Sequence, residues 1–142
     1  MRILVLNRSE VGNFTAKVPY AVVSIKDPGE ETVQLVPSVY LRDVLQLSFH
    51  DLTKQLGKGG YKLFDAVMAE QVCRFTKRCL LNIELLVIHC GAGKSRSAAI
   101  AAALNKWING SHEPYVRGKS YIPNPLVLSV MEAELDKVAA NE

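Results

Sequence analysis

Five residues separate Cys90 from Arg96 in Val87-Ile88-His89-Cys90-Gly91-Ala92-Gly93-Lys94-Ser95-Arg96-Ser97. An apolar run, Leu85–Ile88, stops at His-Cys, and an alanine-rich stretch, Ser97–Leu104, opens directly after the arginine. The order is that of a buried strand, a glycine loop and a helix N-terminus. Backbone N–H groups and the helix dipole converge at such a junction and favour an anion. Glycines let successive N–H groups curl inward as a nest for phosphate-like oxygens. A thiol on the floor of that nest loses its proton readily, since helix N-termini and cations stabilise a thiolate. A guanidinium at the rim can grip two oxygens of one oxyanion.

His89-Cys90-x5-Arg96-Ser97 resembles the signature loop of the cysteine-dependent protein tyrosine phosphatases, and the serine after the arginine is typical of their dual-specificity branch. The close match is confined to this loop, and the rest of the chain follows the family in layout. The resemblance implies that Cys90 attacks phosphorus and forms a phosphocysteine. It gives Arg96 both phosphate binding and stabilisation of the transition-state oxygens. Gly91, Ala92, Gly93, Lys94 and Ser95 would line the phosphate with their backbone. His89 would orient the loop and tune the thiolate, and the Ser97 hydroxyl would help the sulfur leave.

Protonating the leaving group needs a carboxylic acid on a separate loop. Asp51 is the expected acid, just beyond a strand at Val44–Phe49 and before the lysine- and glycine-rich Lys54–Gly60. It lies farther upstream of Cys90 than the family usually places its acid. Asp27, in the turn Asp27-Pro28-Gly29, is a rival on the same sheet edge. Asp43 is expected before its strand, at the wrong end of a parallel sheet, and Asp65 at the start of a helix. Lys94 adds charge at the mouth, and Ala92-Gly93-Lys94 resembles the loops of phosphoinositide 3-phosphatases and mitochondrial phosphatidylglycerophosphate phosphatases. Those groups usually carry lysine where this chain has Gly91.

Other chemistries fit fewer residues. Gly93-Lys94-Ser95 imitates the end of a Walker A loop, but that motif needs a glycine where this chain has Ile88. A phosphate-binding pseudophosphatase would not require both Cys90 and Arg96, and nothing beyond mild basicity suggests an RNA 5′-phosphatase. Cys73 and Cys79 lack any comparable setting and read as core thiols. His50, His89 and His112 are scattered, with no metal-ligand spacing, so neither metal nor cofactor is expected.

The chain has 142 residues, 49% apolar and 22% charged, with a formal net charge of +3. That composition suits one soluble globular domain spanning 1–142. The charge fits an anionic ligand, a phosphorylated protein or a small phosphomonoester, without the basic stripe of a nucleic-acid binder. No apolar run reaches the roughly 20 residues of a membrane span. Three cysteines without a CxxC pair favour a reducing compartment, and the strand-like start at Met1–Asn7 leads to a cytoplasmic expectation.

The elements that must position the loop follow from periodicity. Ile3–Leu6 and Tyr20–Ile25 read as buried strands, Val44–Phe49 as a third strand and Val33–Val36 as an edge strand. Ser9 is expected to cap a short helix through Phe14 and Ala16. Phe64, Met68, Val72, Phe75 and Cys79 recur at helical spacing. The helix after the loop should run to about Trp107 and stop at Asn109-Gly110. Gly110–Pro123 reads as a loop carrying Tyr115, Arg117, Lys119 and Tyr121. Asn124 should cap a last helix, with Leu128, Met131, Leu135 and Val138 on one face and Glu132, Glu134 and Lys137 solvated. Strands separated by helices predict an α/β fold, a mostly parallel central sheet of about four to five strands flanked by helices.

Overall fold

The computed structural model describes residues 1–116 and 120–140; the expected loop residues Arg117 and Lys119 lie outside them. The element order is β1 (Arg2–Leu6), α1 (Arg8–Gly12), β2 (Tyr20–Lys26), β3 (Leu41–Ser48), α2 (Ala66–Cys79), β4 (Leu85–His89), α3 (Arg96–Asn109) and α4 (Pro125–Ala140). The four strands form one sheet in the order β1-β4-β2-β3. Every pairing is parallel, with Leu4 opposite Val87 and Val22 opposite Val87 on the other side. Parallel strands without a free face must be covered on both sides, which is why β2 and β4 are nearly all apolar.

One face carries the larger core. Here α3 packs on β1, β4 and α4, and α2 packs on α4 and β3. Ala98, Ala99, Ala101, Ala102 and Ala103 are buried, and their small side chains let α3 sit close to the sheet. Val127, Met131 and Leu135 bring α4 against the same core, with Leu128 at its edge. The opposite face is thinner, built from Val11, Tyr20, Val22 and Val87 with Phe14, Val18, Val33 and Leu35 over them.

Several local expectations need correction. The third strand begins earlier, at Leu41, so Asp43 lies inside it, where it takes a 2.7 Å hydrogen bond from Arg78 on α2. Residues 33–36 stay outside the sheet, since among the described residues no strand lies beside them to pair with. Helix α1 is a single turn capped by Asn7, not Ser9: Asn7 and Glu10 form a reciprocal capping box, and the helix ends at Gly12. On α4, Glu132 meets His112 Nε2 at 2.9 Å and Glu134 is largely covered, so neither is freely solvated. The remaining caps follow expectation. Asp65 accepts from Met68 N, Asn124 accepts from Leu126 N and Val127 N, and Gly110 ends α3 at φ 86°.

Core and surface leucines should respond very differently to truncation. Leu86 is fully buried in β4, whereas Leu81 is 94% exposed after α2. Leu86→Ala is expected to lower the unfolding free energy by about 2–5 kcal/mol. Leu81→Ala should change it by less than about 0.5 kcal/mol. Urea unfolding of the two variants measures both.

Candidate active site

All four strands point their C-terminal ends to one edge, where open α/β sheets bind ligands. Each end delivers one part of the site. β4 delivers Cys90, β1 delivers Asn7 and Arg8, β2 delivers Asp27, and β3 delivers Phe49 and Asp51.

The loop from Cys90 to Arg96 is held open from outside. The Gly91 carbonyl accepts from Arg8 N at 3.1 Å, and the Lys94 carbonyl from Ile122 N at 2.8 Å. The Ser95 carbonyl accepts from Ala99 N at 3.0 Å and Asn124 N at 3.1 Å. With those carbonyls engaged outward, the N–H groups of Gly91 to Ser95 have no acceptor among the described residues. Unengaged amides on a glycine loop are what a nest for an anion requires. Gly93 is the residue this path requires. Its φ is +68°, and a Cβ there would lie 2.8 Å from Asn7 N and from the Leu6 carbonyl carbon. Gly91, by contrast, has room for a side chain, with Arg96 Nη2 at 3.6 Å as the nearest atom.

Cys90 lies buried at the start of the loop, and its Sγ is 3.0 Å from the Ser97 hydroxyl. Ser95 occupies the N-cap of α3 without capping it, because its hydroxyl donates instead to Asp51. The first amides of α3 therefore remain available to an anion.

Arg96 is 6% exposed and firmly oriented. Its Nη1 donates to Asp27 Oδ1 and to the Phe49 carbonyl, both at 2.7 Å, and the guanidinium carbon lies 5.8 Å from the Phe49 ring centroid. Nε is buried with no partner among the described residues, and Nη2 faces Gly91. One nitrogen is thus saturated by protein while the Nε–Nη2 edge is left for two oxygens of one ligand. Asp27 was visible in the sequence only as a rival acid. The turn that presents it is closed by Glu30 N on the Asp27 carbonyl at 3.0 Å, with Gly29 at φ +85°.

Asp51 sits at the rim. Its Oδ1 accepts from Ser95 Oγ and from Asn124 Nδ2, each at 2.8 Å, while Oδ2 has no partner among the described residues. The loop behind it is pinned at its neck, where His50 N donates to the Lys62 carbonyl at 2.7 Å and Lys62 N to His50 Nδ1 at 2.9 Å. Gly57, Gly59 and Gly60 all have positive φ within that loop. Asn124, read from sequence only as a helix cap, also ties Asp51 to α4. Lys94 is exposed at the mouth. Asp65 and Asp43 lie elsewhere, engaged with Met68 N and Arg78.

His89 is fully buried beneath the loop, and its Nε2 lies 2.6 Å from Ser24 Oγ. The two residues are register partners on β4 and β2, which explains a serine in an otherwise apolar strand. Burial pushes the His89 pKa down to about 4, and the nearby Arg8 and Arg96 charges act in the same direction. The other thiols are held inert. Burial, with Glu134 nearby, pushes Cys73 up to about 11, and burial also raises Cys79. Among the described residues no three His, Cys, Asp or Glu side chains converge to hold a metal, and no helix is long and apolar enough to cross a membrane.

A histidine whose folded pKa lies below its unfolded value of 6.5 takes up a proton on unfolding. Its contribution is complete above pH 6.5 and is lost as the pH falls towards about 4. The urea midpoint should therefore fall between pH 7.5 and pH 5, and fall less in His89→Asn. An equal fall in both proteins would remove His89 as the cause.

No family model matches the chain, and no curated protein matches it in sequence. Solved structures do. Human DUSP28 aligns over 99% of this chain and 95% of its own, at a TM-score of 0.63 and 17% identity. PTPMT1 in complex with PI(5)P covers 87% of this chain and 80% of its own, at a TM-score of 0.58 and 19% identity. The human tyrosine phosphatase-like serine/threonine/tyrosine-interacting protein covers 87% and 78%, at a TM-score of 0.54 and 21% identity. The four-stranded parallel sheet with its flanking helices is therefore the fold that these solved structures share.

Proposed function

We propose that this chain is a cysteine-dependent phosphatase that hydrolyses phosphate monoesters, on phosphorylated proteins, through a phosphocysteine intermediate. The observation that carries the reading is the division of labour at Arg96. Asp27 and the Phe49 carbonyl saturate Nη1, and the Nε–Nη2 edge lies beside a loop whose first residue is Cys90 and whose amides no described residue engages.

In the first step the Cys90 thiolate attacks phosphorus in line, and the bond to the leaving oxygen breaks. Asp51 Oδ2 gives that oxygen a proton, while Ser95 and Asn124 hold Oδ1 in place. Loop amides and Arg96 stabilise the equatorial oxygens as charge develops on them. In the second step water attacks the phosphocysteine, Asp51 takes its proton, and the sulfur–phosphorus bond breaks. The Ser97 hydroxyl, at 3.0 Å, donates to the departing sulfur. His89, neutral and buried, positions the strand end that carries Cys90. Asp27 is a positioning residue for Arg96; its ion pair leaves it poorly placed to donate a proton.

A second reading keeps the chemistry and changes the substrate to a phosphoinositide. One solved neighbour holds PI(5)P, and Lys94 adds a cation at the mouth.

Hydrolysis of aryl phosphates in the presence of chelator tests the reading. Cys90→Ser should abolish turnover and still bind vanadate; turnover near wild type would overturn the assignment. Asp51→Asn should slow substrates with poor leaving groups by about 100-fold or more, and good leaving groups far less. A uniform loss across leaving groups would take the acid role from Asp51. Asp27→Ala should lower kcat/KM by about 10- to 100-fold, the worth of a charged hydrogen bond. Its loss should be the same for every leaving group, and vanadate should bind more weakly. A leaving-group-dependent loss would instead make Asp27 the acid.

A further inference from the structure

The loop that carries Asp51 is built as a stem with two rungs. At its base the Phe49 and Phe64 rings are buried and meet with their centroids 5.0 Å apart. Above them His50 N donates to the Lys62 carbonyl at 2.7 Å, and Lys62 N donates to His50 Nδ1 at 2.9 Å. Farther out, Gln55 Nε2 donates to the Tyr61 carbonyl, and Tyr61 N donates to Gln55 Oε1. A compact segment tied at its ends and cross-tied by its own side chains is an Ω-loop.

His50 joins this stem to the proposed acid. A backbone N–H donates to Nδ1, so Nδ1 is the bare nitrogen of the ring and its proton sits on Nε2. Tyr61 packs against the same ring in a T-shaped contact, 5.1 Å between centroids. The His50 carbonyl accepts from Leu52 N at 2.9 Å, which closes a three-residue turn with Asp51 at its centre. The peptide between Phe49 and His50 is held from both sides, its carbonyl by Arg96 Nη1 and its N–H by Lys62. Lys62 is anchored in turn: its Nζ lies 2.9 Å from Asp65, the cap of α2. Ser95 and Asn124 hold only the Asp51 carboxylate, so its backbone takes its course from the His50 turn.

We propose that His50 is a positioning residue for Asp51: its Nδ1 closes the neck that keeps the acid at the rim of the phosphate loop. The inference rests on the phosphatase reading above, with Asp51 as the acid. Without Nδ1 the neck is tied by one hydrogen bond in place of two. Asp51 then spends less time against the leaving oxygen. Proton donation suffers, while phosphate binding by Arg96 and the loop amides does not.

Substitutions at His50 separate positioning from folding. His50→Phe keeps a ring against Tyr61 and removes the acceptor, whereas His50→Asn places Oδ1 close to where Nδ1 stood. His50→Phe should lower kcat/KM about three- to tenfold for aryl phosphates with poor leaving groups, and far less for good ones. His50→Asn should recover most of that loss, and vanadate should bind His50→Phe as it binds the wild type. Added to Asp51→Asn, His50→Phe should bring no further loss. Should His50→Phe fold poorly, His50→Gln, whose carbonyl reaches past the Nδ1 position, gives the same comparison. A loss equal for all leaving groups, no loss at all, no rescue by asparagine, or the same loss on top of Asp51→Asn would each overturn the proposal. If Asp51→Asn shows its leaving-group dependence and His50→Phe shows none, this inference alone falls. No turnover by the wild type, or a uniform loss in Asp51→Asn, would overturn the underlying reading and this inference with it.

Discussion

The outward anchoring of three loop carbonyls is the constraint on which the rest of the site depends. A seven-residue loop can present its amides inward only if its carbonyls find donors elsewhere. Here those donors come from three separate places: Arg8 after β1, Ile122 in the segment before α4, and Asn124 at the cap of α4. Gly93 then sits too close to the end of β1 for any side chain. The fold supplies this arrangement because β4 is flanked by β1 and β2, so that the loops of its neighbours border its own.

Arginine placement shows the same logic at the level of one side chain. A buried guanidinium without partners is costly, and one with all its nitrogens paired could not receive a ligand. Arg96 resolves this with two strong acceptors on one nitrogen and an Nε that no other described residue engages. The Asp27 and Phe49 acceptors come from β2 and β3, so the sheet itself fixes the guanidinium. The rim repeats the pattern: Ser95 gives up its capping role to hold Asp51, and Asn124 serves α4 and Asp51 at once.

Local signals made the centre of this site legible in the sequence. The strand, the loop from Cys90 to Arg96 and α3 are contiguous, and Ser97 meets Cys90 because the loop between them returns to its own start. What the sequence did not disclose depends on contacts between distant segments. Asp27 and Arg96 meet only because β2 and β4 are adjacent, and Ser24 meets His89 only through their register. Asn124 gave a clear capping signal, and its second role needed the position of the Asp51 loop. Residues 33–36 misled for a physical reason: alternation reports which side chains face a core, and pairing also requires a neighbouring strand. At α1, Ser9 and Asn7 are both good caps, and the reciprocal bond with Glu10 decided for Asn7.

In the proposed mechanism the phosphoryl group passes through the sulfur of Cys90. Rapid acid quench during turnover of an aryl phosphate, followed by intact-mass and peptide mass spectrometry, observes that bond directly. One phosphoryl group on the peptide containing Cys90, present during turnover and gone when substrate is exhausted, is the result this account predicts. Turnover with no covalent phosphoryl-protein, or with the phosphoryl group on Ser95 or Ser97, would contradict it.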